Sequence, residues 1–279
     1  MAGEEASEEA SDKAEEQEVH ERSAPSGKVV YKAILKEADA ELERPSSALA
    51  WSGLAAGMSM GFSFIAEALM QAHLPDKPWR PLISKLGYSV GFIVVILGRQ
   101  QLFTENTLTP VLPLLLRKDR DTLVNMLRLW TVVLLANLFG ALLVAWAVTK
   151  TDVFPSHVHD AFRELGHAAV SHSFGNTLLK GVFAGWLIAL IVWLLPFAEA
   201  ARFFVILLLT YVVGLGNFSH IVAGAVEVFS LAWAGEKGWG AVLIHYIVPT
   251  LIGNTIGGVT LVAALNHAQV VAGGEGEDV

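Results

Sequence analysis

An all-α integral membrane protein, with six transmembrane helices in an inverted 3+3 repeat, is the fold class this sequence predicts. Three observations carry it. The 279 residues are 53% apolar and the mean hydropathy is +0.51, high for a soluble protein. Two apolar runs, 82–116 and 201–235, are each 35 residues long. One helix of that length would measure about 52 Å at 1.5 Å per residue, against a bilayer core of about 30 Å, and both runs carry polar groups in their middles. Finally, the two halves of the chain match each other in sequence.

In order, residues 1–28 are acidic, rich in Ala, Ser and Glu, and free of aromatics. They cannot bury a core and are expected to be disordered. No basic start or early apolar segment reads as a secretory signal, and an acidic tail of this kind is expected to stay in the cytoplasm. Residues 29–45 place Val30, Tyr31, Ile34, Leu35, Ala38 and Leu42 at helical spacing with charges between them. That pattern predicts an amphipathic helix on the membrane surface or against the cytoplasmic mouth.

The transmembrane domain is expected over 46–267. Its first segment, about 48–73, repeats Gly53, Gly57 and Gly61 every four residues, a close-packing face. Glu67 is its only acid and is expected to be solvated near the outer end. The second segment, 82–116, is broken by Arg99-Gln-Gln-Leu-Phe-Thr-Glu-Asn-Thr-Leu-Thr-Pro110, too polar for one lipid-facing helix. The third, about 122–148, carries Asn137-Leu-Phe-Gly140. A polar stretch, 149–172, reads as a solvated loop or short helix. The fourth segment, about 174–197, has Gly181 and Gly185 on one face. The fifth, 201–235, is broken at Gly214-Leu-Gly-Asn-Phe-Ser-His220, and the sixth, about 239–265, carries Gly253-Asn-Thr-Ile-Gly-Gly258. An acidic tail, 268–279, closes the chain.

The repeat is read from order and spacing. Phe103-Thr-Glu-Asn precedes Asn137 by 34 residues, and Phe218-Ser-His-Ile precedes Asn254 by 36. Each half is therefore plain, broken, plain. Three crossings is an odd number, so the second half enters the membrane inverted and the two breaks face each other at the mid-plane. With both termini cytoplasmic, and leaving out Lys13 and Arg22 of the tail and Arg99 of the first break, nine Lys and Arg residues lie inside and seven outside, in weak agreement with the positive-inside rule.

Broken helices with polar groups survive in a membrane only where protein or a water cavity covers them, so the breaks mark the translocation path. His220 is its titratable centre; a core histidine bonded to a backbone carbonyl is the plainer reading. Asn217 joins the centre on local chemistry alone. Thr104 lines the pore or caps the second half-helix. Arg99 and Glu105 pair with each other or lie at a mouth. Glu227, two turns after His220, lines a vestibule or a subunit interface. His157, His159, His167 and His172 lack a carboxylate or cysteine partner in a fixed pattern, so no metal or cofactor is expected. Without any cysteine, disulfides are excluded, and no paired carboxylates or nucleophile–base set suggests an enzyme.

Six segments, with Leu102-Phe-Thr-Glu-Asn-Thr-Leu-Thr-Pro110 in a broken second and Gly216-Asn-Phe-Ser-His-Ile-Val-Ala-Gly224 in a broken fifth, resemble the formate/nitrite transporter family. The closing Gly253-Asn-Thr-Ile-Gly-Gly-Val-Thr-Leu-Val is similar to its YfdC-like inner-membrane branch. The resemblance covers about 46–270. It implies an aquaporin-like protomer in a homopentamer, one pore per subunit, in a bacterial-type inner membrane, carrying small monovalent anions of weak acids. It makes His220 the pore histidine and Thr104 the threonine facing it. It puts Leu102, Phe103, Phe92 and Val213 at apolar constrictions. Better-known members carry an asparagine where Gly185 falls here, and a lysine near the place of Ala169, with His167 and His172 close by. Those changes remove anion-friendly groups.

A dehydrated anion meets a high barrier in an apolar constriction. Half-helix amino termini lower it with N–H groups, and a histidine near neutral pKa lowers it by giving a proton. The sequence leaves three readings open: a channel or transporter for weak-acid anions, with proton coupling; a channel for water or an undissociated acid; or a non-transporting scaffold or sensor. The bilayer and a small anion or neutral weak acid are the expected partners, with no nucleic acid.

Overall fold

A computed structural model describes residues 26–272. The expected amino-terminal tail up to residue 25 and the carboxy-terminal tail from 273 lie outside the described residues. Among the described residues every regular element is a helix. Helix α1 is Gly27–Glu43 and α2 is Ser46–His73. Helix α3, Arg80–Leu97, holds a turn at its start. Then come α4 (Val111–Arg117), α5 (Arg120–Lys150), α6 (Ser156–Ala169), α7 (Phe174–Leu194), α8 (Arg202–Leu215), α9 (Ala223–Ala234) and α10 (Trp239–Val270). Helices α2, α3, α5, α10 and the segment Phe174–Phe197 are long and apolar enough to cross a membrane; α8 and α9 are shorter apolar pieces.

Both long runs break, as the polar middles require. The first leaves helix at Gly98, passes through one 3-10 turn at Glu105–Thr107 and resumes at Val111. The second leaves helix at Gly216 and resumes at Ala223. Arg99 and Asn217, one in each break, take left-handed backbone with φ of 49° and 45°, a conformation that side chains with a Cβ seldom hold.

Two asparagines fix these breaks. Asn137 accepts from the Phe103 N–H (2.9 Å) and donates to the carbonyls of Gly53 (2.7 Å) and Gln101 (2.9 Å). Asn254 accepts from the Ile221 N–H (2.8 Å) and donates to the carbonyls of Gly181 (2.8 Å) and Ser219 (2.8 Å). Each side chain satisfies backbone groups that a non-helical stretch would otherwise bury unpaired. Both asparagines are fully buried.

The glycine rows let the plain helices approach. Helix α2 packs on α5, and α7 on α10. A Cβ at Gly57 would overlap the Asn137 carbonyl, and a Cβ at Gly185 would overlap that of Asn254. Gly185 is therefore a packing position filled by its neighbour's backbone.

The polar stretch 149–172 contains helix α6, whose Val158, Ala161, Phe162 and Leu165 are buried on the side that meets α2 and α9. Helix α1 is amphipathic as its spacing predicts and buries Tyr31, Ile34, Ala38 and Leu42. Four bonds tie it down: Tyr31 Oη to His267 Nδ1 (2.9 Å), Arg117 to Asp39 (2.7 Å), Arg128 to the Leu42 carbonyl (2.7 Å) and Gln101 Nε2 to Glu41 (2.7 Å). The last reaches the first break directly. Helix α10 runs past 267, where the tail was expected to begin, and contains two π-turns.

Candidate functional site

The two breaks meet at one contact. Thr104 Oγ1 lies 2.8 Å from His220 Nε2, and neither residue is exposed. The other ring nitrogen, Nδ1, accepts from the backbone N–H groups of Val222 (3.3 Å) and Ala223 (3.2 Å). A proton on Nδ1 would face two amide protons, so the neutral ring carries its proton on Nε2 and donates to Thr104. His220 thus caps α9, whose first N–H groups are occupied by the ring and do not point into open space. The ring also stands edge-on to Phe92, 4.9 Å between centroids.

Of the apolar positions, Phe92, Leu102 and Val213 are fully buried and Phe103 is nearly so. Phe103 turns its ring toward Trp130 of α5, at 5.7 Å. Asn217 does not join the centre. It is exposed, its carbonyl accepts from Lys180 Nζ (3.2 Å), and its left-handed backbone carries it to the rim of a cavity. It therefore lies apart from the enclosed His220–Thr104 contact, whose centre it was expected to share.

Two cavities flank the contact. On the α1 side, one of about 450 Å³ is lined by Glu37, Glu41, Arg44, Arg99, Glu105 and Arg202, among others. Gln100 Oε1, Glu105 Oε1 and Arg202 Nε of this lining are buried without a protein partner. Arg99 and Glu105 both line it, but no ion pair joins them. On the opposite side, a cavity of about 40 Å³ is lined by Lys85, Tyr88, His172, Val213, Glu227 and Tyr246, among others. Ser219 reaches this cavity and Gln101 the first. His220 is the chain neighbour of Ser219, and Leu102, two residues before Thr104, is the chain neighbour of Gln101.

The expectation that Glu67 is solvated is also corrected. It is 1% exposed, and Lys85 Nζ stands 2.5 Å from its carboxylate. Nothing near Glu67 in sequence announces this partner, 18 residues on. The histidines of 149–172 disperse. His157 meets His73 edge-on at 5.3 Å, His159 meets Phe162, and His167 binds Glu236. Among the described residues no group of three or more metal-ligating side chains gathers. Burial holds His172 below the usual histidine range, and the nearby Lys180 pushes it further down.

Sequence reasoning named Asn137 and Asn254 as repeat partners but gave them no task. The signal was present: each follows its break at nearly the same distance.

The family model described as "Formate/nitrite transporter" matches residues 28–268. The chain is 39% identical over 254 residues to "Inner membrane protein YfdC" of Escherichia coli (strain K12), covering 91% of this chain and 82% of that one. It is 28% identical over 222 residues to "Formate channel BtFdhC" of Bacillus thuringiensis, covering 74% and 80%. A solved "Pentameric formate channel with formate bound" superposes with a TM-score of 0.70 at 19% identity, covering 81% of this chain and 98% of that one. An "FNT family ion channel" superposes at 0.74 and 20% identity, covering 86% and 98%.

Proposed function

This chain belongs to the formate/nitrite transporter family, a family of non-enzymatic transporters, and on that premise we propose that it conducts small monovalent weak-acid anions of the formate and nitrite kind. The path runs between the two cavities, past His220 and Thr104. Six crossings in an inverted repeat, with both breaks at the mid-plane, are the architecture of this reading. The matching three-bond sets of Asn137 and Asn254 support it. The protein is a homopentamer of the inner membrane with both termini cytoplasmic; similarity to a pentameric formate channel and to an inner membrane protein supports this. The α1-side cavity then faces the cytoplasm.

The observation that carries the reading is the His220–Thr104 contact between the two breaks. An anion passing the constriction has lost most of its water, at a cost of several kcal/mol if nothing replaces it. His220 Nε2–H and the Thr104 hydroxyl are donors held at the dehydrated step. Phe92 and Leu102 exclude water around them, which strengthens each remaining hydrogen bond. Movement of the solute as the neutral acid lowers the barrier further, because a protonated anion has no charge to desolvate.

A second reading, passage of neutral solutes only, draws on the far cavity. Glu227 lines it beside Lys85, whose ammonium is already paired with Glu67, so the lining offers an incoming anion no unpaired ammonium. The test is a flux panel in proteoliposomes with formate, nitrite, hydrosulfide, acetate and water across a pH series. Anion-dependent, pH-dependent flux supports the first reading. Water or undissociated-acid permeation without it supports the second.

A further inference from the structure

We propose that Glu227 is the proton donor of the outer cavity, handing a proton to each weak-acid anion before it reaches His220. This rests on the anion-channel reading above.

Histidine geometry makes another donor necessary. With Nδ1 bound to two backbone N–H groups, His220 holds one proton, on Nε2. Giving that proton away would leave an imidazolate in an apolar site. The ring can donate a hydrogen bond there, but the transferred proton must come from elsewhere.

The outer cavity holds such a group. Glu227, on α9, lines it together with Lys85, Tyr88, Tyr246 and His172. Glu67 of α2 stands behind Lys85 and is completely enclosed. Every other wall is accounted for. Helix α6 contributes Leu165, Ala168 and Ala169, and α8 contributes Val213 and Gly214. Helix α5 carries no titratable side chain between Leu129 and Val148. Burial and the nearby Lys180 hold His172 below the usual histidine range, hence neutral at neutral pH. The Lys180 ammonium sits at the exposed rim and is bonded to the Asn217 carbonyl.

Two carboxyl groups therefore share one ammonium, Glu67 fully enclosed and Glu227 half-buried at the cavity. Two ionised carboxylates in such a site repel and lack solvation. The balanced arrangement is one ion pair, Lys85 with Glu67, plus one protonated acid. The ion pair takes the enclosed position, and the acid is the group that faces the cavity, Glu227. When a carboxylate solute enters, the O–H bond of Glu227 breaks, its electron pair stays on the Glu227 oxygen, and an O–H bond forms on the solute. The neutral acid moves on past Phe92 and His220. A hydronium ion on the outer side then reprotonates Glu227 and leaves as water, so one proton travels with each anion and no net charge crosses.

The test uses the full chain in proteoliposomes, with labelled formate as probe, and compares wild type, E227Q and E67Q. Wild-type uptake is expected to rise as external pH falls. E227Q is expected to lose that rise. E67Q, which frees Lys85 to pair with Glu227, is expected to shift the rise to lower pH. Infrared spectroscopy of the same samples at neutral pH reads the proton directly. In difference spectra against wild type, a protonated-carboxyl band is expected to be lost in both E227Q and E67Q and retained in E105Q. A pH profile unchanged in E227Q overturns the proposal, as does a band that survives both substitutions. If wild type moves no formate, the transport reading fails, while the band still decides whether Glu227 holds a proton.

Discussion

Asn137 and Asn254 perform the same task in the two halves of the chain. Each accepts one N–H from its break and donates to one carbonyl in the break and one on the preceding plain helix. The breaks owe their shape to these two amides, and the His220–Thr104 contact depends on both.

Replacing either asparagine with leucine keeps its approximate volume and leaves three buried backbone groups unpaired. Each such group costs about 1–3 kcal/mol, so N137L and N254L should each cause a large fall in thermal stability of the detergent-solubilised protein. Equal losses are expected from the two halves. A negligible loss at either site would show that its break is held by something else.

The plain helices tolerate no added methyl at two places. G57A and G185A put a Cβ into the carbonyls of Asn137 and Asn254, where backbone must give way. Both should fail to yield folded protein by size-exclusion chromatography, whereas G175A, whose Cβ meets nothing within 4 Å, should behave as wild type. G185N, which adds a larger side chain at the same point, should fail in the same manner as G185A.

Much of this fold was legible in the sequence because its causes are local or periodic. A 35-residue apolar run cannot be one ordinary crossing, and its polar middle marks where the helix stops. The glycine rows gave the packing faces. Order and spacing marked the two breaks, and the family resemblance implied that Thr104 faces His220; the two side chains do meet, at 2.8 Å. Asn217 misled because its polarity invites a pore role, whereas its φ of 45° shows a backbone task. Glu67 misled because its partner, Lys85, lies on another helix. No sequence pattern announces that two side chains from separate helices close one ion pair. The tilt of Phe103 toward Trp130 has the same cause: it is settled by packing between elements.

Outside the membrane-spanning segments, Glu236 joins Arg163 (2.6 Å) and His167 (2.5 Å). Burial pushes its carboxyl up, but the His167 hydrogen bond and the Arg163 charge outweigh that and hold it below the ordinary range. A depressed carboxyl stabilises the fold above its unfolded-state pKa, and that stability is lost as pH falls through the depressed value. The partners are exposed, so about 0.2–1 kcal/mol is at stake. Thermal melts from neutral to acid pH should show E236Q losing less stability on acidification than wild type. Identical acid-side slopes would contradict the assignment.

Thr104 gives His220 its acceptor. T104S keeps the hydroxyl and should retain formate flux, with its pH profile in place. T104V keeps the shape, removes the acceptor and leaves the Nε2–H unpaired, so its flux should fall about tenfold, the equivalent of about 1.4 kcal/mol. Equal flux in the two variants would reduce Thr104 to a packing residue.

The most direct test of the central claim is initial formate flux into proteoliposomes carrying wild type or H220N. Asparagine retains a donor near Nε2 but cannot match the two-sided hold of the imidazole on Thr104 and on α9. The account predicts clear wild-type flux over empty liposomes and a loss of most of it in H220N, with the variant still assembled. Flux in assembled H220N equal to wild type would contradict a path through the His220–Thr104 contact.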